Sequence, residues 1–194
     1  MYLLGDIGNS ETKIFLVNSR NKILKSTNFP TKKINNNILN SNFKKLIIDF
    51  KKVDKILFCS VVPRSFHFIK KFFSFKTKVK CYEVKNLNLK SLVNIKVNFK
   101  QVGSDRLTNA ISLVNNKDNF IILDFGTATT FDVIIKKTYI GGIIAPGIKI
   151  SLNSLSDKAT LIPKLNLKKI NKVIGIDTIS AVRSGFFLGL CWFN

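Results

Sequence analysis

Short apolar runs ending in turn residues alternate along the chain with stretches of helical spacing. Residues 2–7 and 12–18 read as two strands joined by the tight Gly8-Asn9 turn, with 22–27 as a third. The polar, asparagine-rich segment 31–42 predicts a loop, after which Phe43, Leu46, Ile47 and Phe50 fall at helical spacing. KILFCSVV (55–62) predicts a buried strand stopped by Pro63. A basic amphipathic helix through Phe66, Ile69 and Phe73 follows, then a strand at 78–84. Residues 85–102 carry no strong pattern, and DRLTNAISLVNN (105–116) predicts a helix with Asp105 near its start.

The stretch FIILDFGTATTFDVII (120–135) repeats the opening YLLGDIGNSETKIFLV at a constant offset of 118. Asp6 meets Asp124, Gly8 meets Gly126, Asn9 meets Thr127 and Thr12 meets Thr130, each between two apolar strands. Two such units in register predict a duplicated architecture, with one domain over 1–115 and another over 118–194. The second half continues with a strand at 138–145, the turn APG (145–147), a helix from near Gly147 and, after a polar stretch, a helix over 175–190.

Composition narrows the class. With 194 residues, 45% hydrophobic content and a mean hydropathy of +0.15, the chain can fold around a substantial core. No basic, apolar leader opens it. The most apolar region, 120–150, is interrupted by Asp124, Asp132, Lys136 and Lys137, so no membrane span is predicted. Cys59, Cys81 and Cys191 are odd in number and lie in apolar surroundings, which predicts buried free thiols in a reducing compartment, and the expected location is the cytoplasm. The net charge of +21 invites a nucleic-acid reading, but only Arg20, Arg64, Arg106 and Arg183 among 32 basic residues are arginine. Lysine, asparagine, isoleucine and phenylalanine are over-used together, as codon bias toward A/T would produce; the charge is read as solvated surface that still attracts small anions. His67 lies between phenylalanines without an acidic or cysteine partner nearby in sequence, against triad or metal chemistry, and the phenylalanine-rich run 66–75 is read as core.

The candidate chemistry sits at the strand ends. A glycine after a strand lets backbone N–H groups approach phosphate oxygens, and Ser10 or Thr12 can add hydroxyl donors. Asp6 would be repelled by phosphate itself and suits the Mg²⁺ that accompanies ATP, while Lys13 could neutralise phosphate charge. An ordinary hairpin using Asp and Asn for turn geometry is the competing reading, and the second copy weighs against it. No GxxxxGK[ST] loop and no protein-kinase loop set is present. Asp105 and Arg106 at a helix start read either as an acceptor for a hydroxyl proton with a neighbouring cation or as an N-cap followed by a surface arginine.

What remains resembles the actin/hexokinase/Hsp70-like phosphotransferases, in which two related α/β domains of ribonuclease-H-like (actin-like ATPase) type each offer a phosphate hairpin across a cleft. Within that group, DIGNSETK (6–13), GSDR (103–106), DFGTATTFD (124–132), GGIIAPG (141–147) and GIDT (175–178) stand in the order and spacing of type III pantothenate kinase. The resemblance implies transfer of the ATP γ-phosphate to pantothenate, the first step toward coenzyme A, by a homodimer. Asp6, Ile7, Gly8, Asn9, Ser10, Glu11, Thr12 and Lys13 would form the ATP-phosphate loop, and Thr127 would also contact ATP. Asp124 would hold a monovalent cation, K⁺ or ammonium. Asp105 would accept the pantothenate hydroxyl proton, with Gly103, Ser104, Arg106 and Thr178 holding the substrate.

Five positions depart from the family pattern: Ser10 for threonine, Ser104 for alanine, Asp177 for asparagine, Lys96 for a substrate-contacting tyrosine and Phe99 for proline. Family members also continue beyond the last helix, so the second domain is expected to be shortened. Lys96 and that ending motivate an alternative, a catalytically impaired nucleotide-binding relative with a regulatory or scaffolding role.

Overall fold

The computed structural model describes residues 1–46 and 49–192. The chain forms two compact units: residues 1–122 with 132–141, and residues 123–131 with 142–194.

The first unit is built on five strands, β1 (Tyr2–Ile7), β2 (Glu11–Val17), β3 (Ile23–Pro30), β4 (Lys55–Ser60) and β5 (Cys81–Glu83), in the order β3-β2-β1-β4-β5. β1 and β2 pair antiparallel, as do β2 and β3; β4 lies parallel to β1, and β5 parallel to β4. Three helices belong to this unit, α1 (Asn36–Leu46), α2 (Pro63–Ser74) and α3 (Ser104–Leu113). Leu3, Ile7, Ile14, Phe58, Ile69 and Phe73 meet in one core, and Val84, Val93, Leu107, Ile134 and Tyr139 in a second. The phenylalanine-rich run divides: Phe66, Phe72 and Phe73 are buried as expected, whereas Phe68 and Phe75 face solvent.

Gly5 lies among the inward positions of β1, and a Cβ there would fall inside the ring of Phe58, which is fully buried. Gly5→Val is therefore expected to cost about 1–3 kcal/mol or more from overpacking, read as a lower urea midpoint at unchanged slope.

The segment 31–42, expected to be a loop, is not one throughout. Thr31–Lys33 make a 3₁₀ turn, and α1 starts at Asn36. Asn35 accepts a bond from the backbone N–H of Ile38 at 2.9 Å, capping the helix. Leu39, Phe43 and Leu46 bury on one face, and that packing outweighs the poor helix propensity of the asparagines. Ile47 lies outside the described residues, and Phe50 belongs to a separate 3₁₀ turn over Phe50–Lys52. The strand expected at 78–84 shrinks to Cys81–Glu83, because the chain enters another 3₁₀ turn at Val84.

The remaining strands, β6 (Asn94–Ile95), β7 (Asn119–Phe125), β8 (Ala128–Ile135) and β9 (Thr138–Pro146), form a second sheet in the order β6-β9-β8-β7. The division between units runs through β7, β8 and β9. The second unit also holds α4 (Ile148–Lys158) and α5 (Thr178–Trp192). Asp177 starts α5: its Oδ1 accepts from the N–H of Ser180 at 2.8 Å, and the Ser180 hydroxyl accepts from the N–H of Asp177 at 3.1 Å. The Ser180 N–H accordingly draws the Asp177 carboxyl below its ordinary range. Among the described residues no helix is long and apolar enough to cross a membrane.

Candidate active site

β1 ends by delivering Asp6 and Ile7 into the turn Gly8-Asn9-Ser10. The Gly8 N–H donates to the carbonyl of Glu11 at 3.0 Å, closing that turn. Asn9 and Ser10 are exposed, Asp6, Gly8 and Glu11 are half-buried, and the Ile7 side chain points into the core. Lys13 stands directly opposite Asp6 in the ladder, so an exposed ammonium group shares a strand face with the carboxylate. Thr12 is fully buried and its hydroxyl meets that of Thr31 at 3.0 Å. Thr31 in turn donates its hydroxyl to the Gly8 carbonyl at 2.7 Å and its N–H to the Ser10 carbonyl at 3.0 Å. The hairpin tip is thus pinned from behind by the chain leaving β3, and Thr12 serves that clamp.

The parallel register of β1 and β4 places Cys59 beside Asp6, and the thiol donates to Asp6 Oδ1 at 3.4 Å. Burial pushes the Cys59 thiol up, and the charges of Asp6 and Asp105 push it further. Cys59 on β4 thus bonds the end of β1, and Val61, two residues on, lies beside Gly103 at the start of α3 within the same unit. The Cys81 thiol is pushed up to about 12 by burial. Both thiols are expected to resist iodoacetamide at pH 8 in the native protein and to react in urea, as read by mass spectrometry of their peptides. The fold holds these thiols protonated, whereas unfolded thiols ionise near about 8.5. Their contribution to stability is whole below that pH and is lost as the pH rises toward 12, which urea titrations at pH 8 and pH 10 would measure.

Gly103 caps α3 with extended backbone angles, φ −61° and ψ 145°. A Cβ on it would overlap the carboxylate of Asp105, so the absent side chain is where the Asp105 group lies. Asp105 Oδ1 also accepts from the N–H of Arg106 at 2.8 Å. Ser104 is buried and donates its hydroxyl to the Glu83 carboxylate. The Arg106 guanidinium reaches Asp132, with Nε at 2.8 Å and Nη2 at 2.6 Å from Oδ1. Burial alone would lower the Arg106 pKa, but the hydrogen bond and charge of Asp132 raise it on balance.

In the second unit the turn Gly126-Thr127 joins β7 to β8, with the Gly126 N–H donating to the Ala128 carbonyl at 3.0 Å. Asp124 and Thr127 are exposed near this tip. Gly147 donates its N–H to the Thr127 carbonyl at 3.1 Å, and a Cβ there would overlap the carbonyls of Gly126 and Thr127. The tip therefore rests against the N-terminus of α4. Thr178, the first residue of α5, is exposed.

Residues 2–193 match the type III pantothenate kinase family. The chain is 63% identical over 189 residues to a type III pantothenate kinase of Pelagibacter ubique (strain HTCC1062), covering 97% of this chain and 76% of the relative. The chain belongs to the type III pantothenate kinase family. A second member, from Sulfurihydrogenibium sp. (strain YO3AOP1), is 34% identical over 205 residues, covering 97% of this chain and 77% of its own length. Among solved structures, a protein described as a Baf family transcriptional activator from Campylobacter jejuni superposes with a TM-score of 0.59 at 19% identity, covering 98% of this chain and 76% of that one. One described as a 2-dehydro-3-deoxygalactonokinase from Sinorhizobium meliloti gives 0.57 at 9% identity, covering 99% and 80%. These two likenesses concern the fold, which agrees with the expected α/β, actin-like ATPase class.

Around the family's motifs the structure adds partners that residue order alone does not reveal: Thr31 behind the first hairpin, Cys59 beside Asp6, Glu83 on Ser104, Asp132 on Arg106, and Tyr139 on Asp132. Asp132 closes the quoted motif DFGTATTFD and was the one available signal.

Proposed function

We propose that this protein is an ATP-dependent pantothenate kinase that transfers the γ-phosphate of ATP to the pantothenate hydroxyl, giving 4′-phosphopantothenate at the start of coenzyme A synthesis. The family match over residues 2–193 carries this reading. Its chemistry follows from what phosphoryl transfer needs: alignment, charge neutralisation and a carboxylate within reach of the attacking hydroxyl. Asp105 is assigned as the acceptor of that proton, and Gly103, Ser104, Arg106 and Thr178 to the substrate side. Residues 6–13 and Thr127 are assigned to ATP. The repeated hairpins are read as the trace of duplicated domains over 1–115 and 118–194.

Two ions complete the proposal. Among the described residues there is no group of three or more His, Cys, Asp or Glu able to hold a metal. Mg²⁺ is assigned to the ATP phosphates, with Asp6 as a single protein carboxylate, direct or through water, since Mg²⁺ keeps most of its water and phosphate ligands. Asp124 is assigned to a monovalent cation, K⁺ or ammonium. Such ions, when bound, offset the charge of the transferring phosphoryl group. The enzyme is placed in the cytoplasm as a homodimer. Aliphatic side chains left exposed on β9, Ile143 and Ile144, support a second copy as their cover.

The test is turnover by the purified chain with ATP, Mg²⁺ and pantothenate, with and without K⁺. Formation of 4′-phosphopantothenate is the expected result. ATP bound tightly without turnover under any cation would overturn the kinase reading in favour of a nucleotide-binding relative.

A further inference from the structure

The Arg106 guanidinium is anchored on one side by a buried carboxylate. Two of its nitrogens lie within 2.8 Å of one oxygen of Asp132 on β8. The Asp132 side chain is completely buried, and the same oxygen accepts the Tyr139 hydroxyl from β9 at 2.6 Å. Tyr139 is itself fully buried, and burial together with its bond to Asp132 raises its phenol pKa. A buried carboxylate that lost these donors would be left uncompensated, so the arrangement fixes all three groups together. Meanwhile the backbone N–H of Arg106 holds Asp105 Oδ1 at 2.8 Å. One residue thus carries the grip on Asp105 in its backbone and an anchor to β8 and β9 in its side chain.

We propose that Asp132 and Tyr139 are positioning residues for phosphoryl transfer: they moor Arg106, and the moored Arg106 sets the direction of the Asp105 carboxylate. This rests on Asp105 being the proton acceptor. Asp132 and Tyr139 act through Arg106, which keeps its assignment to the substrate side.

Tyr139→Phe removes only a hydroxyl and keeps the ring in its core, so it tests the inference even if Asp132→Asn fails to fold. With turnover measured on the folded chain, Tyr139→Phe is expected to lower kcat about tenfold, and Asp132→Asn more. KM for pantothenate and for ATP should stay within about twofold in both, because substrate binding is not what the anchor supplies. A kcat within about twofold of the parent for Tyr139→Phe would reduce the network to a structural role and overturn the inference. A rise in KM for pantothenate at constant kcat would overturn it too, showing that the anchor serves substrate binding and not the direction of Asp105. Asp105→Asn is assayed in parallel: full activity there overturns the underlying assignment, whereas an inactive Asp105→Asn beside an unaffected Tyr139→Phe overturns only the anchor.

Discussion

Asp105→Asn is expected to lower kcat by about 10²–10⁴-fold, the range for loss of a positioned general base. The amide is nearly isosteric, and its oxygen can still accept from the N–H of Arg106, so the first turn of α3 should stay as it is. What would be lost, with Asp105 as the proposed proton acceptor, is the capacity to take a proton as the hydroxyl attacks. ATP binding is expected to persist, because the hairpin of residues 6–13 keeps its own clamp through Thr31. Product formation and nucleotide affinity, measured on the same preparation, check both halves of this expectation. Loss of ATP binding together with turnover would mean that the substitution had disturbed the hairpin as well.

The second large effect comes from a residue with no functional group. Gly103 has φ −61° and ψ 145°, angles that alanine adopts without strain. Its backbone conformation therefore gives no reason for glycine. The reason is space: the methyl group of Gly103→Ala would overlap the Asp105 carboxylate, with Val61 Cγ1 also 3.5 Å away. The carboxylate has to turn away, and a displacement of about 1 Å at a reacting group costs on the order of 10²-fold. Gly103→Ala is thus expected to lose kcat by about that factor while its thermal midpoint hardly moves. A mutant that loses stability in proportion to activity would show instead that the glycine serves the fold.

Much of this framework is legible from residue order because local rules agree with the final packing. The alternation in YLLGDI, the small residues at Gly8-Asn9 and the Pro63 stop each define an element without reference to distant residues. Asn35 shows where that logic ends: an asparagine-rich stretch reads as loop until its cap and the stripe Leu39, Phe43, Leu46 find a core to bury in. The region after Val84 hides its order for a related reason. Its buried residues Leu89, Val93 and Val102 sit among 3₁₀ turns and a two-residue strand, which impose no single period. Site partnerships were the least visible. Arg106 and Asp132 are separated by 26 residues and meet where α3 shares a core with β8 and β9, whereas Asp6 and Cys59, 53 apart, meet through sheet register. Asp105 and Arg106 illustrate the point: read locally they are a helix start with a surface cation, yet that cation ends on a buried carboxylate.

The clamp that Thr31 places behind the first turn has a thermodynamic corollary. A glycine-containing tip left to itself would sample many shapes, and capturing a ligand would require freezing it. Here Thr31 donates to the Gly8 and Ser10 carbonyls and accepts the Thr12 hydroxyl, holding all three in shape beforehand. Nucleotide capture should then carry little ordering penalty, so calorimetry would find the entropy of association less unfavourable in the parent than in Thr31→Val.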